Sequence, residues 1–405
     1  MSPLKPSHAK QLGEAIRRQL RRDRADLVAF ASDLIAVPSE NPPGRAYARC
    51  ARLIRARLRE LGLDARTLNP AGEGPCVTAA FGSGRRALYF SGHYDVVPAQ
   101  DPSQFDPRIA KGKLFGRGAA DMKGGVAAMA FAMRALAASG FEPRGRLVSM
   151  SVPDEETSGP RGTVALVKAG LIESGAVGML TMEPTGGVVW NANRGVISAR
   201  VVVHGRPAHV GLHFRGVNAF RGMLEIAGRF AQLEAEISER RTRYAISPEA
   251  AKRSVLLLGG ELSGGHNFNV VPDRVSFTID RRPNPEEDFD AERDALRRVV
   301  EEARRRGITC EIEILQEGRS AATDAKGDLG RALASGIREV TGRAPRFELC
   351  PGVLETRHYA ALGVPALAYG PGLLSLAHGP EESVSVSRLL ECAEVYALTA
   401  MRLLS

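Results

Sequence analysis

At 405 residues, with 44% hydrophobic and 25% charged residues, the chain has the make-up of a soluble globular protein long enough for two domains, which excludes a disordered or fibrous polypeptide. Its formal net charge of +9 comes from scattered basic residues, mostly arginine and often beside acids; even the densest run, Arg17 to Arg24, shares its predicted helix with Glu14, Asp23 and Asp26. That distribution, with few aromatic residues, argues against nucleic-acid binding and for a mild preference for an anionic substrate.

Residues 9 to 36 read as one long amphipathic helix, stopped by the prolines of Val37-Pro38-Ser39-Glu40-Asn41-Pro42-Pro43-Gly44. A second helix, 45 to 61, closes on Gly62, and strands are predicted at 77–81 and 87–91. The second strand leads into Gly92-His93-Tyr94-Asp95. A glycine-rich turn, Gly116-Arg117-Gly118-Ala119-Ala120-Asp121-Met122-Lys123-Gly124-Gly125, then opens an almost wholly apolar helix that reaches residue 138. Buried strands follow at 147–152, running into Pro153-Asp154-Glu155-Glu156, and at 177–182, ending in Glu183-Pro184-Thr185-Gly186, with a helix at 162–169 between them.

Near Gly195 the texture changes. Residues 197 to 204 alternate as a sheet with one face in water does. A helix at 217–236, strands at 255–261 and 274–280, a charged helix at 286–306 and a strand at 309–315 complete a β-α-β-β-α-β order, a small two-layer α+β unit. After about residue 317 the helix, strand, helix pattern returns, with a buried strand at 365–369 and a loop, 370–380, bearing His378. The expected architecture is an α/β domain of residues 1–194 and 317–405 with a smaller α+β domain, 195–316, inserted in it. Five isolated cysteines without a C-x-x-C pair, no signal segment and no apolar run long enough for a bilayer point to a cytoplasmic protein without disulfides or membrane contact.

The acids and histidines fall at equivalent places. His93, Glu155 with Glu156, and Glu183 each follow a predicted core strand; Asp121 lies in a strand-to-helix turn, and His378 in the loop after the last strand. Open α/β sheets form their sites beyond the carboxyl ends of the strands. Two histidines and several carboxylates converging there offer nitrogen and oxygen ligands suited to zinc, cobalt or manganese. One aspartate with a carboxylate and a histidine on each side can bridge two ions, and a pair roughly 3.5–4 Å apart activates a shared water and polarises a carbonyl. Consecutive side chains diverge, so one of Glu155 and Glu156 can ligate while the other acts as general base. Asp95, two residues beyond His93, is placed to hold one ring nitrogen.

These motifs resemble those of the dinuclear zinc amidohydrolase family that contains acetylornithine deacetylase, succinyl-diaminopimelate desuccinylase, aminoacylase and carboxypeptidase G. Gly92-His93-Tyr94-Asp95 is similar to its first signature, the glycine-rich Asp121 turn to its second, and Asp154-Glu155-Glu156 to its third. Met182-Glu183-Pro184-Thr185 and His378-Gly379-Pro380-Glu381-Glu382 look like the fourth and the closing one. The resemblance implies a zinc-aminopeptidase-like α/β catalytic domain and an inserted lid and dimerisation domain. It implies that His93 and Glu183 bind one metal, Glu156 and His378 the other, and Asp121 both. Asp95 would orient His93, Glu155 would be the general base, and the Asp121–Met122 peptide would be cis.

In the inserted domain, Gly205-Arg206-Pro207-Ala208-His209 resembles a motif whose histidine stabilises the oxyanion in the partner subunit's site. Asn269 resembles a substrate-contacting lid residue, and Arg282 and Arg357 resemble substrate-binding arginines. Two positions depart from the family pattern: Glu355, where a shorter acid is usual, and Glu381, where Asn or Asp is common. The function implied is hydrolysis of an N-acyl amino acid, or a similar small carboxylate-bearing amide, by a metal-bridged water with Glu155 as base, in a homodimer with two divalent ions, zinc first and cobalt or manganese as alternatives. A dipeptidase or glutamate-type carboxypeptidase with the same chemistry is the neighbouring reading, and a non-catalytic metal- or ligand-binding homologue the remote one.

Overall fold

In the computed structural model, which describes residues 5–405, the run Ala87–His93 is an inner strand of a mixed sheet. Its alternate side chains enter different apolar layers: Leu88 and Phe90 one, Ala87 and Tyr89 the other. It pairs in parallel with Arg146–Val152 on one side and Gly178–Thr181 on the other, and Ala366–Ala368 continues the parallel set. Cys76–Gly82 and Asp64–Leu68 extend the first flank antiparallel. A strand buried on both faces has no room for a polar stripe, which is why these segments read as continuous apolar runs. Parallel strands also release their chains at one edge, so His93, Glu155 and Glu183 leave the sheet on the same side.

The larger apolar layer takes in the helices Pro6–Arg22, Arg24–Ile35, Tyr47–Glu60, Lys123–Ala138, Asp328–Thr341 and Val386–Leu403. Helix Lys123–Ala138 is buried on nearly every side, so its sequence carries no polar face. The opposite layer gathers Tyr89, Met150, Leu166, Met179 and Tyr359. These elements belong to one compact unit: the chain up to Asn191, Thr323–Phe347 and His358–Ser405.

The expected helix over 9–36 is two helices. The chain breaks at Asp23 (φ −83°, ψ 5°), whose carboxylate accepts from the Gln19 side-chain amide at 2.9 Å. No glycine or proline marks the break. The short strands Arg108–Ala110, Lys113–Phe115 and Ser383–Ser385, which form a small separate sheet, also carry too few residues to show a period.

The second unit comprises Ala192–Ala322 and Glu348–Arg357. Its four-stranded antiparallel sheet runs in the order Val255–Gly264, Arg274–Arg282, Val196–His204, Cys310–Gly318. Ile197, Ala199, Val201 and Val203 face the helices Ala219–Ser238 and Phe289–Arg305, packing against Ile226, Phe230, Leu296 and Val300. Of the alternate residues, Ser198 bonds Asp280 at 2.7 Å, Arg200 pairs with Glu261 and Glu313, and His204 lies 3.1 Å from Glu311, while Val202 is apolar and buried. This is the β-α-β-β-α-β order read from the sequence. None of the five cysteines forms a disulfide, and among the described residues no helix is long and apolar enough to cross a membrane.

Gly125 marks where helix Lys123–Ala138 touches the Glu183 segment. A Cβ there would lie 2.5 Å from the Met182 carbonyl oxygen and 2.8 Å from the Met182 Cβ. Helix propensity alone favours Gly→Ala by about 1 kcal/mol, but displacing a packed backbone costs about 1–3 kcal/mol. Gly125→Ala is therefore expected to lower the urea midpoint; a midpoint at or above that of the parent would show that the contact relaxes freely.

Candidate metal centre

His93 is the last residue of its strand, and it aims Nε2 at Asp121 Oδ1, 3.1 Å away, with Glu155 Oε2 at 3.9 Å. From the loop after Ala366–Ala368, His378 brings Nε2 to 3.4 Å from Asp121 Oδ2 and 3.1 Å from Glu156 Oε2. Each oxygen of Asp121 thus faces a different histidine. Two groups of donors share this aspartate: His93, Asp121 and Glu183, and Asp121, Glu156 and His378, with the ligand atoms of each group within 4.8 Å of one another. Imidazole nitrogens mixed with carboxylate oxygens suit zinc and its first-row neighbours. The fit has a structural mark as well. Glu156 Oε1 is buried with no hydrogen-bond partner, an unfavourable state for a carboxylate that a bound cation relieves.

The electrostatics carry the same signature. Burial opposes the ionisation of Asp121, yet hydrogen bonds from His378 and His93 hold its carboxyl well below the usual range. Glu156 is pushed up, first by burial and then by the Asp121 charge. Burial alone would depress His93, but its bonds to Asp121 and Asp95 raise it well above the ordinary imidazole value. His378 is raised to about 10 by its bonds to Asp121 and Glu156. The two imidazoles take up protons where cations belong.

Asp95 supports the centre by a route the sequence did not indicate. His93 Nδ1 lies 3.0 Å from the backbone carbonyl oxygen of Asp95 and 3.5 Å from its carboxylate Oδ1. The Asp95 carboxylate accepts instead from Asn41 Nδ2 at 2.9 Å and from the Glu156 backbone N–H at 3.1 Å. Asn41 also donates to Asp154 Oδ1 at 3.3 Å, where Arg161 Nη2 donates at 2.6 Å. Asp154 takes a left-handed φ of 71°, and in the turn it opens Glu155 and Glu156 approach different histidines.

A second clamp joins the Asp121 turn to the His378 loop. Arg117 and Glu382, both buried, pair at 2.6 Å. Glu382 Oε1 accepts from the N–H groups of Ala120 and Asp121 at 3.0 and 3.1 Å, while Arg117 Nη2 donates to the His378 carbonyl at 3.2 Å. The peptide between Asp121 and Met122 is cis. Asn41, Arg117 and Glu382 were not singled out from the sequence. Asn41 reads there only as part of a helix stop, and the other two sit inside motifs whose neighbours look like the ligands.

Four candidates, His209, Asn269, Arg282 and Arg357, belong to the second unit and have structural partners there. His209 Nδ1 accepts from the Gly211 N–H at 3.1 Å, and the Asn269 carbonyl accepts from Val210 N–H at 2.9 Å. Arg282 clasps Asp280 through Nε at 2.5 Å and Nη2 at 3.1 Å. Arg357 is buried and donates to the Leu354 carbonyl at 2.8 Å. Of the two departures from the family pattern, Glu355 is buried, whereas Glu381 is exposed and pairs with Arg108 at 3.1 Å.

Comparison with known proteins follows the same lines. The family described as Peptidase family M20/M25/M40 matches residues 89–402. Succinyl-diaminopimelate desuccinylase of Gluconacetobacter diazotrophicus is 31% identical over 93% of this chain and 97% of its own, and the enzyme of that name from Alkalilimnicola ehrlichii 30% over 94% and 100%. Among solved structures, the metallo-carboxypeptidase Sso-CP2 from Sulfolobus solfataricus superposes with a TM-score of 0.76, at 16% identity over 93% of this chain and 98% of that one, which is a likeness of fold.

The raised pKa of His378 yields a pH test on metal-free protein. Its folded value of about 10 lies above its unfolded value near 6.5. The stabilisation is therefore fully present below about pH 6.5 and is lost as pH rises toward 10. Solvent on the half-exposed ring screens part of it. Between pH 7 and 10 the stripped protein should lose stability more steeply than its His378→Ala variant in chemical denaturation; parallel slopes would contradict the assignment.

Proposed function

Since the chain belongs to peptidase family M20/M25/M40 and is a metal-dependent hydrolase of carbon–nitrogen bonds, we propose that it hydrolyses the amide of an N-acyl amino acid, with succinyl or acetyl as the acyl group. The observation that carries this reading is the likeness to two desuccinylases over nearly the whole of this chain. His93, Glu183, Asp121, Glu156 and His378 would hold two divalent ions, for which we propose zinc, with cobalt or manganese able to replace it. Such a pair supplies an acidified water and a Lewis acid for the amide carbonyl.

The chain's own groups do the rest. The Asp95 carbonyl keeps the His93 Nδ1 proton turned away, so that Nε2 presents its lone pair to the centre. Glu155 stands beside that nitrogen at 3.9 Å, placed to take a proton from the attacking water and return it to the departing amine. In our reading His209 donates to the carbonyl oxygen as it gains charge, from the second copy of a homodimer. Asn269, Arg282 and Arg357 receive the substrate's polar ends. Arg282 then exchanges Asp280 for the substrate carboxylate, a swap between like partners that costs little.

Glu155→Gln should leave metal content unchanged and lower kcat by about 10²–10⁴-fold, the range of a lost general base; a near-normal rate would reject the role. Assayed with the zinc-loaded protein, N-succinyl and N-acetyl amino acids should be turned over with higher kcat/KM than unblocked dipeptides. Preference for dipeptides or for C-terminal glutamyl peptides would move the assignment to a dipeptidase or carboxypeptidase, and inactivity across the whole set to a binding protein.

A further inference from the structure

Among the described residues of the first unit, the exposed large apolar side chains are Ile109, Leu171, Leu373 and Leu374. The first two stand alone, as single exposed apolar residues commonly do. Leu373 and Leu374 are adjacent, 46% and 44% exposed, and lie in the loop that ends in His378. Between Gly372 and His378 that loop reads Leu373-Leu374-Ser375-Leu376-Ala377. Ser375 is the single polar side chain in it, whereas connections that run over a surface are ordinarily polar unless the apolar groups have a use.

The backbone holds the two leucines beside the metal-type residues. The turn closes on itself, with Leu376 N–H donating to the Leu373 carbonyl at 2.9 Å and Ala377 N–H to the Leu374 carbonyl at 3.2 Å. Toward Glu183, Leu373 forms an antiparallel bridge with Thr185, and the Gly186 N–H donates to the Gly372 carbonyl at 2.9 Å. Toward Asp121, a Cβ on Gly372 would sit 2.3 Å from the Ala120 carbonyl oxygen, so the two backbones are in direct contact. The leucines therefore follow a residue that touches the neighbour of Asp121. They also adjoin the segment just past Glu183, and they precede His378 by five and four residues. Pinned on both flanks, the turn keeps apolar surface in water, a state that an apolar group of a ligand relieves.

We propose that Leu373 and Leu374 form an apolar shelf at the metal centre that selects substrates with an aliphatic or aromatic substituent next to the scissile amide. The inference rests on the reading of the protein as a hydrolase of N-acyl amino acids and narrows its substrate class. An apolar group can enter from the amino-acid side chain or from the acyl chain, and the contact with the leucines is the same in both cases.

Calorimetric titration of the metal-loaded Glu155→Gln protein with N-acetyl-L-leucine, N-hexanoylglycine and N-acetylglycine tests the shelf without turnover. At least one of the first two should bind about ten-fold or more tightly than N-acetylglycine, the discrimination that added methylenes give in an apolar site. Tighter N-acetyl-L-leucine assigns the shelf to the amino-acid side chain, tighter N-hexanoylglycine to the acyl chain. Adding Leu373→Gln or Leu374→Gln should reduce the preference about three-fold or more. Both side chains are exposed, so each variant backs up the other should one fail to fold, which a urea midpoint checks. Equal or undetectable binding of the three probes, or a preference unchanged in both variants, would overturn the shelf; hydrolysis of all three by the parent protein would still uphold the hydrolase reading. A leucine-dependent preference in a protein that hydrolyses none of them would uphold the shelf and sink that reading instead.

Discussion

Asp121, Glu156 and Glu183 are pressed into one buried place where their charges repel, and the surrounding architecture serves to keep them there. Asp121 remains ionised because a histidine stands at each oxygen, while burial and the Asp121 charge push the Glu156 carboxyl up. A buried carboxylate oxygen without a hydrogen-bond partner, as Glu156 Oε1 is, is unfavourable unless a cation is supplied. Divalent ions are that cation, so the strain of the metal-free arrangement and its affinity for metal share one origin.

The scaffold holds the repelling groups by two clamps that use backbone as much as side chain. Glu382 fixes the Asp121 turn through consecutive N–H groups and is itself neutralised by Arg117, which also holds the His378 carbonyl. Asn41 and the Asp95 carboxylate tie the Glu156 backbone to the segment after His93. Both clamps are buried, and the carboxylate at the heart of each, Glu382 and Asp95, accepts from at least two donors, which ties distant backbone segments together in a low-dielectric interior. Each reaches far along the chain, Arg117 to Glu382 and Asn41 to Asp154, so the centre depends on the complete fold of its unit.

The second unit is organised on a different principle. Its sheet packs helices on one face and carries charged pairs on the other, with Arg200 between Glu261 and Glu313. A buried network of Arg281 with Glu287 and Glu292 closes its helix-bearing side. Its core is separate from that of the unit with the metal-type residues, so each can keep its internal packing independently of the other.

Local order determined much of this from the sequence alone. Apolar runs that stop at a His, a Glu-Glu pair or a Glu announce strands with polar ends, and parallel strands of one sheet must end on one side, so the convergence of His93, the Glu155-Glu156 pair and Glu183, with Asp121 and His378 in the neighbouring loops, was readable before any coordinates; which of the two glutamates ligates was implied only by the family resemblance. The alternation in 197–204 announced a half-exposed sheet for the same reason, a period of two. Tertiary structure alone decided what has no period. The break at Asp23 bears no glycine or proline, and the clamps of Asn41 and of Arg117 with Glu382 join residues distant in sequence. Whether Asp95 meets His93 by carbonyl or carboxylate turned on ångström-scale differences. Spacing along a chain records which face a residue occupies, and partners brought together by folding leave no such mark.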